Sequence, residues 1–369
     1  MCVCLCLCVC VGGNTGVGRE TALQLALHGS TVIIGCRSAT RGASAVAHIQ
    51  HALLHADTTV HPHAAVGSIE CTPLDLSCFY SIKTFADSLI HTYTHVDILV
   101  CNGGLNLKGT NSNGLQELLM VNYLSHHLLF QLLEPLLTAS PCNSSAVSAV
   151  RYPSEARVVN LSSVMHHEGN SEFEKSAFTR YSTSDPYSYY SDSKLYLNYL
   201  TMEINRRHGA CAPTKGFQCR KVTAVSVNPG AVRSDIWRHV PWPVSVPYDL
   251  FMRAYFLNVQ QGACPSLFAA TTSLPHSVTS PSSPVTSSPV SLLPYVTPYR
   301  VYCNILAFEM MGPFGGAQWA TPSLPTDALE KARNLYQFSN NLINTLVERE
   351  DDSGKNETRK LLKFRLEMD

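Results

Sequence analysis

No stretch of about 18 uninterrupted apolar residues occurs in the chain, so no membrane-crossing helix is expected. Neither sign of charge is in surplus: Lys+Arg and Asp+Glu number 27 each. That balance leaves no net field to draw in a nucleic acid or an acidic lipid surface. Charge is scarce altogether, at 15% of residues. Five of the 14 cysteines lie in the first ten residues, and the other nine are scattered without a Cys-x-x-Cys pair. No basic segment with a cleavage site marks a secretory signal. Free thiols in a reducing compartment follow. No internal repeat is visible.

What is present is a chain of 369 residues, 45% hydrophobic, long enough for one large domain or two ordinary ones. Met1 to Val11 alternates Cys with Val or Leu and reads as a buried strand, its five cysteines a row of small side chains on one face rather than a metal site. The start is abrupt, and an incomplete N-terminus is compatible with it. Val11-Gly12-Gly13-Asn14-Thr15-Gly16-Val17-Gly18 follows, then a helix over Arg19 to His28. Glycines between a strand and a helix start let backbone N–H groups approach a diphosphate, which the helix dipole favours. Further strands are expected at Thr31–Gly35, Ser68–Leu74, Val96–Val100, Arg157–Leu161 and Lys221–Val227. Helices are expected at Ala39–His55, from a Ser77 cap to Thr92, at Leu115–Leu137 and at Asp185–Arg207. This alternation predicts an α/β fold, a doubly wound parallel sheet with helices on both faces. Residues 271–300 are almost wholly Ser, Thr and Pro and read as a disordered surface insertion. Tyr302–Phe308 is expected to supply a last strand and Thr326–Leu346 a last helix. One domain over residues 1–348, with 349–369 a charged tail, is the organisation expected.

Tyr190-Ser191-Asp192-Ser193-Lys194 lies in the helix after Pro186, whose Leu195, Leu197, Leu200 and Ile204 are spaced for one buried side. Residues four apart share a helix face, so a nearby cation would favour an ionised Tyr190. Six tyrosines between Tyr181 and Tyr199 make this pair weak by itself. Its context is stronger. Ligands of open parallel sheets bind at the carboxyl ends of the strands, where the chain places its glycines, Arg37, Asp75, Asn102, Ser163 and Pro229-Gly230 in turn. Each has a plainer reading: Ser162 and Ser163 as the end of a strand, Asn122 as a buried helix residue, Asp75 as a cap. His126-His127 and His166-His167 read as structural, because adjacent histidines point apart on regular elements.

With these motifs the chain resembles the short-chain dehydrogenase/reductase family, most closely its retinol dehydrogenase and WW-domain oxidoreductase branch, over Val9 to Ala270 and more weakly from Tyr302 to Ile343. The resemblance implies a single Rossmann-type domain. It implies cofactor contacts at Gly12, Asn14, Gly16, Val17 and Gly18 of the glycine loop, and at Asp75, Leu76, Asn102, Gly103, Pro229 and Gly230, with Tyr190 and Lys194 also touching the cofactor. It implies catalysis by Asn122, Ser163, Tyr190 and Lys194. Tyr190 would be acid or base on the reacting oxygen. Lys194 would lower its pKa and hold a ribose hydroxyl, Ser163 would bond the oxygen, and Asn122 would place a water beside Lys194. Ser162 is the alternative to Ser163. Val11 stands where a threonine is usual, and Cys101-Asn102-Gly103-Gly104 where Asn-Asn-Ala-Gly is common.

No carboxylate occurs between Gly29 and Ser44, whereas Arg37 ends the second strand with Arg41 and Arg19 near it, which predicts NADP(H) over NAD(H). Ile236 to Leu257 carries Trp237, Trp242, Phe251, Tyr255 and Phe256, expected to wall a site for a lipophilic alcohol or carbonyl. No metal and no nucleic acid are expected. The partners expected are that small molecule, a second copy of the chain through the helices of Asn122 and Tyr190, and peripheral contact with the cytosolic face of a membrane. The competing reading is a non-catalytic nucleotide-binding regulator or interaction protein on the same fold.

Overall fold

A computed structural model describes residues 6–57, 59–61, 67–106, 115–140, 155–173, 178, 186–208, 220–233, 252–253, 256–272, 294–298, 300–302, 309–311, 317–320 and 324–352. The first half alternates strand and helix: β1 (Leu7–Val11), α1 (Gly16–Leu27), β2 (Thr31–Cys36), α2 (Ala39–Leu54), β3 (Ser68–Pro73), α3 (Phe79–Thr92) and β4 (Ile98–Cys101). Then come α4 (Glu117–Leu119), a π turn (Met120–Leu124), α5 (Ser125–Thr138), β5 (Glu155–Leu161), a 3-10 turn (Val164–Glu168), α6 (Pro186–His208), β6 (Lys221–Val227) and α7 (Val259–Thr271). The chain ends with β7 (Tyr295–Pro298), β8 (Arg300–Tyr302), β9 (Glu309–Met311), β10 (Ala317–Ala320) and α8 (Ala328–Asp352).

One eight-stranded sheet has the order β10-β7-β6-β5-β4-β1-β2-β3. All its pairs are parallel except β10 with β7, and β8 with β9 forms a separate antiparallel hairpin. The fold is the expected doubly wound sheet. Alternation along β1 divides two cores: Leu7, Val9 and Val11 face the side of α3, α5, α6 and α8, and Cys6, Cys8 and Cys10 face the other. Cys6, Cys8 and Cys10 thus pack as small apolar side chains, while Cys2 and Cys4 lie outside the described residues. The register places Val11 beside Gly35 and Cys101, Cys101 beside Asn160, and Leu161 beside Val227, so the carboxyl ends of these strands form one edge. At the opposite edge Asp97, wholly buried, accepts from Leu7 N and the Arg220 guanidinium, both at 2.7 Å.

Several expectations are corrected. The seventh parallel strand lies inside the segment read as a disordered insertion: Tyr295 to Thr297 are buried, and Pro294 O, just before β7, and Val296 O within it accept Ser226 N and Asn228 N, each at 2.9 Å. Tyr, Val and Thr suit a strand, but three such residues vanish in a composition dominated by Ser and Pro. Residues 273–293 lie outside those described. Of the strand expected at Tyr302–Phe308 only Tyr302 is described, in the small hairpin. Ser77 does not cap α3: Cys78 holds that position, while the Ser77 amide and hydroxyl donate to Asp75 Oδ1 at 2.9 and 2.7 Å. The last helix spans Ala328–Asp352 where Thr326–Leu346 was expected.

The tyrosine helix has no exposed side over much of its length; residues 191–205 are all buried. One side meets the sheet, and α8 covers another. Tyr123 and Ser339 join hydroxyls at 2.9 Å, His127 Nε2 meets Asn340 Oδ1 at 2.6 Å, and the Arg207 guanidinium lies 4.0 Å over the Tyr336 ring. The helix surfaces expected to meet a second copy are therefore lined by the chain's own last helix. Among the described residues no helix is long and apolar enough to cross a membrane.

Candidate active site

The glycine turn joins β1 to α1. Gly12 has φ 70°, and its amide donates to Gly35 O at 2.9 Å. A β-carbon there would stand 2.7 Å from Gly103 Cα, so a side chain at position 12 is excluded twice, by φ and by the backbone that follows β4. Asn102 ties the two turns together, donating from Nδ2 to Val11 O at 3.3 Å and Gly12 O at 3.2 Å. Its carboxamide fills the space a side chain at Gly18 would need. Gly16 opens α1, followed by buried Val17; Asn14 is half-buried in the turn. The helix carries no acidic residue in its first turn, and Thr15 makes no side-chain cap. An N-terminus of that kind, approached over glycine backbone, fits a dinucleotide diphosphate.

Around this turn lie the remaining expected contacts. Arg37 is exposed directly after β2, and Ser38 caps α2 by accepting Arg41 N. Asp75 follows β3, its Oδ1 engaged by Ser77, and Leu76 packs where a side chain at Gly103 would go. Pro229 and Gly230 follow β6 at the same edge, with Gly230 N donating to Asn228 Oδ1 at 3.0 Å.

β5 delivers the two serines in opposite senses. Ser162 is buried and donates to the Lys194 carbonyl at 2.9 Å. Ser163, half-exposed, caps the 3-10 turn and hydrogen-bonds the Tyr190 hydroxyl. Lys194 is buried, donates from Nζ to Leu161 O at 2.7 Å and lies 5.4 Å from the centroid of the Tyr190 ring. Burial pushes the lysine down to about 8. Burial also pushes Tyr190 up to about 12, opposed by the Ser163 hydrogen bond. The expected lowering of Tyr190 by Lys194 is thus not what the folded chain alone produces. Desolvation wins, and Tyr190 is a phenol at neutral pH.

Asn122 occupies the π turn, a local irregularity of the kind found at functional sites. Its Oδ1 accepts Leu105 N at 2.8 Å, and its Nδ2 donates to Leu105 O at 3.0 Å and Ser193 Oγ at 3.2 Å. These bonds pull the helix onto the segment after β4 and explain why the helix expected over Leu115–Leu137 is not regular. Two residues read as structural come close to the site. His126 Nε2 meets Gly103 O at 2.7 Å, and His166 Nδ1 meets Ser163 O at 2.6 Å. Only their spacing from Asn122 and Ser163 marks them in the sequence. Burial holds both histidines down at about 4. Trp237, Trp242, Phe251 and Tyr255 lie outside the described residues; of that stretch Met252 and Leu257 are buried.

The short chain dehydrogenase family model matches residues 7–242. Human retinol dehydrogenase 12 is 34% identical over 232 residues, 62% of this chain and 62% of that protein. The WW domain-containing oxidoreductase of Gallus gallus is 32% identical over 272 residues, 70% of this chain and 56% of that protein. The chain therefore spans less than two thirds of these relatives' length. The fold aligns with the crystal structure of an uncharacterised protein from Mycobacterium paratuberculosis at TM-score 0.61 and 24% identity, covering 92% of this chain and 93% of that one. From the matched strands, glycine turn and tyrosine helix together, the chain belongs to the short chain dehydrogenase family, in its retinol dehydrogenase branch.

Proposed function

We propose that the chain is an NADP(H)-dependent oxidoreductase that moves a hydride between nicotinamide and a lipophilic alcohol or carbonyl. The observation that carries this is the Ser163–Tyr190 hydroxyl pair over a buried Lys194, at the same sheet edge as the glycine turn. The cofactor, when bound, supplies or accepts the hydride. Tyr190, protonated at neutral pH, donates its phenolic proton to the carbonyl oxygen in reduction and takes it back in oxidation. Ser163 hydrogen-bonds that oxygen and orients the phenol. Lys194 holds a ribose hydroxyl and supplies positive charge beside the phenol. Asn122 acts through the π turn, setting the helix against the loop after β4. Gly12, Asn14, Gly16, Val17 and Gly18 hold the diphosphate. Asp75 and Leu76 take the adenine, and Asn102, Gly103, Pro229 and Gly230 border the nicotinamide.

NADP(H) is preferred because Arg37, exposed at the end of β2, meets a 2′-phosphate where no carboxylate competes. A lipophilic substrate is supported by the retinol dehydrogenase relatives and by the aromatic stretch after β6. We assign one catalytic domain up to α8, working in the cytoplasm with peripheral contact to a membrane that presents the substrate.

Titrating the purified chain with NADPH and NADH, then adding retinaldehyde, a steroid ketone or a short aldehyde, tests the proposal. Binding of NADPH at least about tenfold tighter, largely lost in Arg37→Ala, is expected, since a charge-assisted bond contributes roughly 1.5–3 kcal/mol. Cofactor oxidation should be fastest with the large apolar substrates. Cofactor binding without turnover on any of them would favour a nucleotide-binding regulator.

A further inference from the structure

The described residues include eight free cysteines. Cys6, Cys8, Cys10 and Cys101 are fully buried, and burial pushes the Cys8, Cys10 and Cys101 thiols up. Cys36, 5% exposed, and the half-exposed Cys71 form a neighbouring pair at the carboxyl end of the sheet. Cys36 is the last residue of β2; Cys71 lies on the neighbouring β3, opposite Ile34. Every second residue of a strand shares a face, so both thiols lie beneath α2. A β-carbon built at Gly42 would sit 3.6 Å from Cys71 Cβ and 3.7 Å from Cys36 Cβ. The Cys71 sulfur would stand closer still to that same β-carbon, so the two thiols share one pocket under α2, and Cys36 Sγ donates to Ser38 O at 3.2 Å. Cys71 is partly exposed, and Arg37 and Arg41 stand next to Cys36.

We propose that Cys36 and Cys71 form a redox modification site, in which a hydroperoxide oxidises Cys36 and Cys71 then closes a disulfide that displaces Arg37. The Cys36 thiolate attacks a peroxide oxygen; an S–O bond forms, the O–O bond breaks, and the departing alkoxide or hydroxide takes up a proton. Cys71 sulfur then attacks Cys36 sulfur. The S–S bond forms, the S–O bond breaks, and the Cys71 proton leaves with the hydroxide as water. Two electrons have passed from the dithiol to the peroxide. The thiolate is the reactive form. The contact with Cys71, aided by the Arg41 and Arg37 charges, holds Cys36 below the ordinary thiol value against the opposing effect of burial. The same contact raises Cys71, as burial and the Cys36 charge do.

The register determines what closure does. A two-residue offset between neighbouring strands separates α-carbons by on the order of 8 Å, beyond the ~7 Å that a disulfide spans without backbone movement. The middle of β2 is held by ladders on both sides. Its end is held more lightly, by Leu74 N on Cys36 O at 3.1 Å. Movement therefore falls on Cys36 to Ser38 and carries Arg37 with it. The effect on cofactor affinity rests on the proposed role of Arg37; the disulfide itself does not.

The test treats the full chain with hydrogen peroxide, maps cross-links by peptide mass spectrometry, and measures NADPH affinity before and after. Expected are a Cys36–Cys71 linkage and NADPH binding weakened by about tenfold or more, the value of the charge-assisted bond lost, both reversed by dithiothreitol. Cys71→Ser should give no linkage and instead leave a Cys36 sulfenic acid that dimedone traps. Oxidation of Cys78 or Cys264 with Cys36 still reduced would overturn the proposal, as would an equal loss of affinity in peroxide-treated Cys36→Ser or Cys71→Ser. A chain that forms the linkage yet binds NADH as tightly as NADPH would support the dithiol site and overturn the cofactor reading instead.

Discussion

Ser162 donates its hydroxyl to the main-chain carbonyl of Lys194 at 2.9 Å, which commits it to anchoring the tyrosine helix against β5. Its neighbour Ser163 is left to face Tyr190. The two serines should therefore fail differently. Ser163→Ala removes a donor to the reacting oxygen and is expected to cut kcat by ~100-fold with little change in melting temperature. Ser162→Ala should cost about 1 kcal/mol of stability, the usual net worth of one hydrogen bond, and change kcat far less. Paired kinetics and thermal melts would read this, and the reverse pattern would reassign the serines.

Acid should unfold the chain through its buried histidines. His126, His127 and His166 are each held down at about 4, first by burial, against about 6.5 in an unfolded chain. The unfolded state binds more protons between those values, so this contribution is complete above about pH 6.5 and is lost as pH falls through about 4. Each histidine is worth up to ~3 kcal/mol across that window. Melting temperature should fall steeply from pH 6.5 to 4, and His127→Gln should flatten the slope by one proton. A slope unchanged in that variant would show that His127 stays protonated in the folded chain.

The last helix should govern self-association. α8 covers α5 and α6 through Tyr336, Ser339 and Asn340, so the intact chain is expected to scatter light as a monomer. A chain ending before Ala328 would expose that surface and is expected to form dimers or larger species. A dimer of the intact chain that is unchanged by removing α8 would mean that association uses another face.

The sheet was legible from sequence because β1, β2, β4, β5 and β6 are built on short apolar stretches that end at residues of distinct chemistry, with β3, SIECTP, marked mainly by its place between two helices. The glycine turn was legible because its glycines answer physical needs: Gly12 and Gly18 stand where backbone approaches backbone, and Gly16 has φ 55°. Other features were hidden for physical causes. β7 is four residues long inside a Ser/Pro run, and tertiary pairing with β6 defines it. The π turn depends on Asn122 reaching Leu105, a contact that helical periodicity cannot express. The all-round burial of α6 depends on α8, which begins 120 residues further along the chain (His208 to Ala328). The desolvation of Tyr190 was not legible, because spacing shows that a lysine is near whereas burial comes from the surrounding fold.

Substituting Tyr190 by Phe tests the central claim most directly. With NADPH and a lipophilic aldehyde, Tyr190→Phe is expected to lose ~100-fold or more in kcat while NADPH affinity stays nearly unchanged, because only the proton donor is removed. Tyr189→Phe serves as the neighbouring control and should do little. Equal turnover by Tyr190→Phe and the unaltered chain, or equal losses in the two variants, would contradict the assignment of Tyr190 as the acid.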